Sequence, residues 1–264
     1  MTDIILGLIP WVFALSASAL YVWRVATRGR ALNTRADQHG GSVFVSKHVV
    51  ELCQWTLTPW ATALARLGVM PDAVTWFSLV SGVAAGAALV WGWFGLATLL
   101  GTLSAFCDTI DGILARQLGV RSEAGETLDA VVDRYTEGAF LGGLIIYYRS
   151  SFVMTTLSVL ALLGAFMVSY TTVKAEAQNV EPPRGSMRRG ERALYMLVGA
   201  SFVPCVREFL PPEWPVYVRD APMVLVITLI ACVANVSSLL RMTQIRAALR
   251  AAGGGSGVQT RGSV

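Results

Sequence analysis

Seven apolar stretches separated by short polar segments run along the 264-residue chain: 4–23, 73–93, 95–115, 126–148, 151–173, 191–209 and 222–240. Each is close to the roughly 20 apolar residues that carry a helix across a bilayer. Within them the apolar positions are continuous instead of alternating at period two. They therefore predict helices and not the strands of a closed barrel, the other solution that satisfies a backbone in lipid. The fold expected is an all-α polytopic membrane helical bundle. The first stretch follows Met1-Thr2-Asp3 with no basic leader and no small-residue cleavage site, which predicts a retained anchor.

The segments between the spans refine this picture. Residues 24–41 are polar, basic and end in glycines, as a linker would. Residues 43–67 mix apolar and polar positions with Trp55 and Trp60. They are too weak to span and suit a helix lying in the membrane interface, a short soluble helix being the alternative. Gly68, Pro71 and Asp72 then break the chain, with Asp72 placed as a first-turn acid of the next helix. From residue 253 the run GGGSGVQTRGSV is flexible by composition and its start resembles an expression linker. The expected organisation is an anchor and linker over 1–41, a membrane domain over 42–250 and a tail over 251–264.

Composition agrees: 54% of residues are hydrophobic and 14% charged, which excludes an ordinary soluble domain. The net charge of +4 is topological. Threading the spans leaves Arg149, Arg207 and Arg219 on one side and, Arg134 apart, every other basic residue on the opposite side, which the positive-inside rule makes cytoplasmic. That asymmetry points to membrane lipids, including anionic headgroups, and not to nucleic acid. Cys53, Cys107, Cys205 and Cys232 occur singly and read as packing residues. His39 and His48, nine apart, fit no common metal-ligand spacing.

The chemistry concentrates in residues 108–133, DTIDGILARQLGVRSEAGETLDAVVD. Asp108 and Asp111 are three apart near the end of one span, and Asp129 and Asp133 four apart near the start of the next. Each pair shares a helix face. A short connection makes the two helices antiparallel neighbours, so the four carboxylates meet at one depth. Carboxylates clustered there need cations, and hard oxygen ligands suit magnesium, manganese or calcium, with room for two ions. Such a centre suits substitution at phosphorus. Gly112 and Gly125 allow close approach to the backbone. Intramembrane carboxylates also mark ion pathways, so a divalent-cation transporter is the rival from another class.

The run Asp108-x2-Asp111-Gly112-x2-Ala115-Arg116-x8-Gly125-x3-Asp129-x3-Asp133 resembles the signature of the CDP-alcohol phosphotransferase (phosphatidyltransferase) family, class I. The resemblance implies a six-span catalytic core with an interfacial helix, to which the first anchor is an addition. It implies that Asp108, Asp111, Asp129 and Asp133 hold Mg2+ or Mn2+, two ions, with Asp133 also the base on the acceptor hydroxyl. Gly112, Ala115, Arg116 and Gly125, joined by Thr75, would surround the cytidine nucleotide. The reaction implied moves a phosphatidyl group from CDP-diacylglycerol to a polar alcohol with release of CMP, in a homodimer at the cytoplasmic face of a bacterial inner membrane.

The signature does not choose the acceptor. The segments SYTTVKAEAQ and RRGERA resemble the bacterial phosphatidylinositol phosphate synthases, in which basic residues of these segments bind inositol phosphate. Lys174 and Arg192 match best, with Arg188 and Arg134 as further acceptor-binding residues, whereas Thr172 stands where those synthases carry a basic residue. Glycerol 3-phosphate, serine, choline and ethanolamine are the alternatives. Arg134 and Glu137, three apart, predict a local ion pair.

Overall fold

The computed structural model describes residues 1–28, 47–180 and 187–254, the side chains of residues 28, 47–50 and 252–254 excepted. Most of the expected linker, with His39, and Arg184 and the tail from residue 255 lie outside the described residues, as does the side chain of His48. Among the described residues there is no strand. The helices are α1 (Thr2–Arg28), α2 (Lys47–Arg66), α3 (Pro71–Val90), α4 (Phe94–Leu118), α5 (Glu123–Tyr147), α6 (Phe152–Ala177), α7 (Arg189–Phe209), the short α8 (Val216–Arg219) and α9 (Ala221–Gly254).

Each of the seven apolar stretches lies on a long helix, but hydropathy alone marks five as long and apolar enough to cross a membrane: α1, α3, α4, α6 and α9. The other two, α5 with 25 residues and α7 with 21, are long enough to do so. What separates them is charge: Asp129, Asp133, Arg134 and Glu137 on α5, and Arg189, Glu191 and Arg192 at the start of α7. The polar residues that weaken the apolar signal are those that build the site. At the other extreme, α9 outruns its expected end at residue 240 and continues to Gly254, overlapping the expected tail.

α3 organises the bundle. It runs antiparallel to α4, where Ser78 and Ser104 exchange hydroxyl-to-carbonyl bonds of 3.0 and 2.9 Å. On its other side it meets α5 along a seam of small residues. There Gly86 lies so close to the Ala139 carbonyl, and Gly143 to the Gly86 carbonyl, that a Cβ at either glycine would overlap backbone. α4 and α5, expected as antiparallel neighbours, come together at their carboxylates, but among the described residues they do not pack along their lengths, because α3 lies against both. The carboxylate-bearing halves thus face each other across a gap.

The connections are locally encoded. Pro71 in the first turn of α3 needs no backbone donor. Gly119, at φ 69, ends α4 in the left-handed region where a side chain would be strained. Three residues later the Ser122 hydroxyl accepts from Gly125 N at 3.1 Å and caps α5. α2 covers the lower part of α4, its Leu57 and Ala61 buried with Cys107, Ile110, Ile113 and Leu114. α1 lies along α4 and α7, where Trp11 Nε1 donates to the Ser201 hydroxyl at 2.9 Å and Asp3 Oδ1 accepts from Leu96 N at 3.1 Å.

The end of the bundle far from the aspartates is locked by a polar knot. Asp220, with no exposed surface, accepts from Arg207 Nε at 2.7 Å and from the hydroxyls of Tyr147 and Tyr148 at 3.0 and 3.3 Å. Arg207 also donates to the Gly92 carbonyl and stacks 4.6 Å above the Phe94 ring. One charge pair, its acid fully buried and its remaining valences filled, ties together the ends of α3, α5, α7 and α9.

Candidate active site

Asp108, Asp129 and Asp133 each offer a carboxylate oxygen, and these oxygens lie within 4.8 Å of one another across the gap between α4 and α5. Asp111, one turn along α4 from Asp108, is not in that group. It is buried and its Oδ2 accepts from the Thr75 hydroxyl at 2.7 Å. Thr75, on α3, is thereby a partner of an acidic residue, and its hydroxyl also bonds the Pro71 carbonyl. The acids lie toward one end of the bundle, where α3, α5 and α7 begin and α4 ends.

Beside the cluster opens a cavity of about 340 Å³ between the start of α3, the last turns of α4 and the start of α5. Every residue assigned to the nucleotide by resemblance lines it: Thr75, Gly112, Ala115, Arg116 and Gly125, together with Asp111 and Asp129. The small residues matter sterically. A Cβ at Gly112 would meet only the Arg116 guanidinium, and one at Gly125 only the Ser122 hydroxyl, so the wall stays thin on the cavity side. Arg116 adds a planar fork suited to phosphate.

The residues expected to hold an acceptor divide. Arg192 is fully buried and already used: Nε and Nη2 donate to the two Glu137 oxygens at 2.6 and 2.8 Å, and Nη1 donates to the Met187 carbonyl. The expected Arg134–Glu137 pair is therefore corrected. Glu137 turns to Arg192, and Arg134 Nη1 is left buried without a hydrogen-bond partner beside a groove between α5 and α6 that includes Phe166 and Val173. Lys174 and Arg188 are exposed.

Two further arginines emerge: Arg241, which the sequence marked only as a positive-inside charge, and Arg189, which it placed among the basic residues of the RRGERA segment. Arg241 of α9 is buried and donates through Nη1 to the Thr172 hydroxyl at 2.8 Å, so a guanidinium stands at the threonine that replaces a basic residue. Arg189, the first residue of α7, reaches the aspartates themselves: Nη1 donates to both Asp108 oxygens at 3.1 and 3.3 Å, and Nη2 pairs with Asp133. The one available signal was that ionisable side chains at span ends are costly unless engaged. It does not say with what they engage.

The turn that launches Arg189 is built with care. Met187 has φ 63, unfavourable for a side chain of its size. It is held there by the Glu191 carboxylate, which accepts from Met187 N and Arg188 N at 2.8 and 3.2 Å, and by Arg192 on the Met187 carbonyl.

Residues 68–231 match the family model described as CDP-alcohol phosphatidyltransferase, well over half of the chain. The chain belongs to the CDP-alcohol phosphatidyltransferase family. Among similar curated proteins, the phosphatidylinositol phosphate synthase of Streptomyces avermitilis is 36% identical over 202 residues, covering 71% of this chain and 80% of that protein. That of Cutibacterium acnes is 33% identical, covering 60% and 78%. The Mycobacterium tuberculosis phosphatidylinositol phosphate synthase shares the fold. Its crystal structure with CDP-DAG bound gives a TM-score of 0.61 at 24% identity, covering 79% of this chain and 98% of that one. The structure with manganese and citrate gives 0.62 at 25%, covering 72% and 88%.

This CDP-alcohol phosphatidyltransferase is a metal-dependent membrane transferase of phospholipid biosynthesis, and the cation-transporter reading falls away. Its aspartates suit a divalent ion on their own chemistry. Asp129 Oδ1 is buried with no hydrogen-bond partner, an atom that a hard cation would satisfy.

Proposed function

We propose that the chain transfers the phosphatidyl group of CDP-diacylglycerol to a hydroxyl of inositol phosphate, releasing CMP. The observation that carries this is the convergence of Asp108, Asp129 and Asp133 within 4.8 Å beside the 340 Å³ cavity lined by the rest of the signature. In this reading the cytidine and pyrophosphate occupy the cavity, against Thr75, Gly112, Ala115, Arg116 and Gly125. The diacyl part extends toward lipid. Asp108, Asp129 and Asp133 hold divalent ions, Mg2+ or Mn2+ and two in number, with Asp111 completing the set by turning from Thr75. The ions supply charge neutralisation at the phosphate oxygens.

Asp133 takes the proton of the acceptor hydroxyl. The hydroxyl oxygen forms a bond to the phosphorus that carries diacylglycerol, the bond from that phosphorus to CMP breaks, and the electron pair leaves on CMP. A base within reach of the hydroxyl and a neutralised phosphate are all that this substitution asks of the protein.

The acceptor assignment is supported by the cationic set at the same end of the bundle. Arg241 stands at Thr172, Arg188 lies within its electrostatic surroundings, and the Arg134 guanidinium is within electrostatic reach of Asp133. Exposed Lys174 completes it. Guanidinium forks match a phosphate monoester, which choline, serine and ethanolamine lack. The phosphatidylinositol phosphate synthases among the relatives support the same choice. The basic asymmetry of the loops supports a site on the cytoplasmic face of the inner membrane, and the resemblance supports a homodimer.

The deciding experiment incubates purified protein with CDP-diacylglycerol, Mg2+ and a panel of alcohols and follows CMP release and new lipid. Inositol phosphate should turn over fastest. Faster turnover of glycerol 3-phosphate would replace the acceptor and leave the chemistry intact. Arg241→Ala and Lys174→Ala should each raise the apparent KM for the phosphorylated acceptor by about tenfold or more, the loss of one charge-assisted contact.

A further inference from the structure

Arg189 stands in an unusual position for a residue of a metal centre, and the consequence rests on the reading of the aspartates as the metal site. Its backbone is fixed by the clamped turn at Met187, so the side chain is delivered into the gap from one direction. Its fork then ends on two different helices, Nη1 on Asp108 of α4 and Nη2 on Asp133 of α5. These are two of the three carboxylates that converge. The other acids nearby are taken: Glu137 by Arg192 through both oxygens, and Asp111 by Thr75.

A guanidinium and a hard divalent ion compete for the same carboxylate lone pairs. We propose that Arg189 is the resident counter-cation of the aspartate cluster, competing with a divalent ion for Asp108 and Asp133, and that ion loading displaces its guanidinium. The driving force is electrostatic. Two divalent ions carry far more charge than one arginine and repel a guanidinium left beside them.

The test measures ion binding and not turnover. Full-length protein is purified, stripped with EDTA and titrated with Mn2+ alone, free ion being read by electron paramagnetic resonance. Arg189→Gln should bind Mn2+ about tenfold more tightly than the wild type, a modest fraction of the attraction between opposite charges at contact. Arg189→Lys should fall between, since an ammonium is a point charge that cannot bridge two carboxylates. Arg149→Gln, which removes the same charge at the far end of the bundle, should match the wild type.

Unchanged or weaker Mn2+ binding in Arg189→Gln overturns the proposal while wild-type binding upholds the metal site. Failure of wild type and variant alike to bind removes the metal-site reading and this inference with it. A second readout guards against a merely structural role. Arg189→Gln should melt below the wild type in EDTA and level with it in saturating Mn2+; a deficit that persists in Mn2+ also overturns the proposal.

Discussion

The carboxylate of Glu137 receives two donors from one fully buried arginine, and this pairing recasts Arg192 from a ligand-binding residue into a supporting one. Removing one partner of a buried ion pair typically costs about 3–5 kcal/mol because the other is left uncompensated. Arg192→Ala should therefore lower the melting temperature in detergent sharply and lower the yield of folded protein. A variant that folds as well as the wild type and shows only a raised KM would return Arg192 to the acceptor. Asp133→Asn should do the reverse, abolishing CMP release while CDP-lipid binding, followed by isothermal titration, persists. At this scale the sequence was legible where spacing encodes geometry. The signature positions 108, 111, 129 and 133 lie three or four apart, and helix periodicity alone puts each pair on one face. The partners of Arg189, Arg192 and Arg241 were not legible, since a basic residue at a span end looks the same whether it faces water, a carboxylate or a threonine. Choosing the partner of Glu137 between Arg134, three residues away, and Arg192, 55 away, is a matter of tertiary packing that no local spacing reports.

Among the elements, the α3–α5 seam sets the width of the catalytic gap. Gly86 and Gly143 let backbones touch, and a β-branched side chain at either must push the helices apart. Gly86→Val should cost about 1–3 kcal/mol of stability and, by moving Asp129 and Asp133 away from Asp108, reduce the rate of CMP release more than it reduces melting temperature. An activity retained in full would show that the gap tolerates a wider seam. The elements themselves were legible because each long helix carries a continuous apolar run, and Gly119, Ser122 and Pro71 punctuate them by ordinary turn and cap chemistry. Two features were not. The length of α9 beyond residue 240 comes from a mixed run, RMTQIRAALRAA, whose alanines and leucine favour helix but whose arginines end a continuous apolar stretch. The separation of α4 from α5 depends on α3 lying against both, which a short connection cannot reveal.

For the whole molecule, the two ends of the bundle have different tasks. The Asp220 knot has its valences filled by Arg207, Tyr147 and Tyr148 and lies at the opposite end from the aspartates. Asp220→Asn should therefore destabilise the protein by about 3–5 kcal/mol, read as a lower melting temperature, with KM values for donor and acceptor unchanged at a temperature where the variant is folded. α9 supplies a ruler between the ends. Arg241 lies about 20 residues beyond Ala221, about 30 Å along a helix, which is about the thickness of the hydrocarbon layer. In the proposed reaction the greasy donor and the hydrophilic acceptor would then meet at a phase boundary, each arriving from its own solvent, and neither would have to be dragged into the other's. Vesicles holding the protein in a single orientation should consume a sugar phosphate offered on one side only, and the sidedness would be set by where Arg241 emerges.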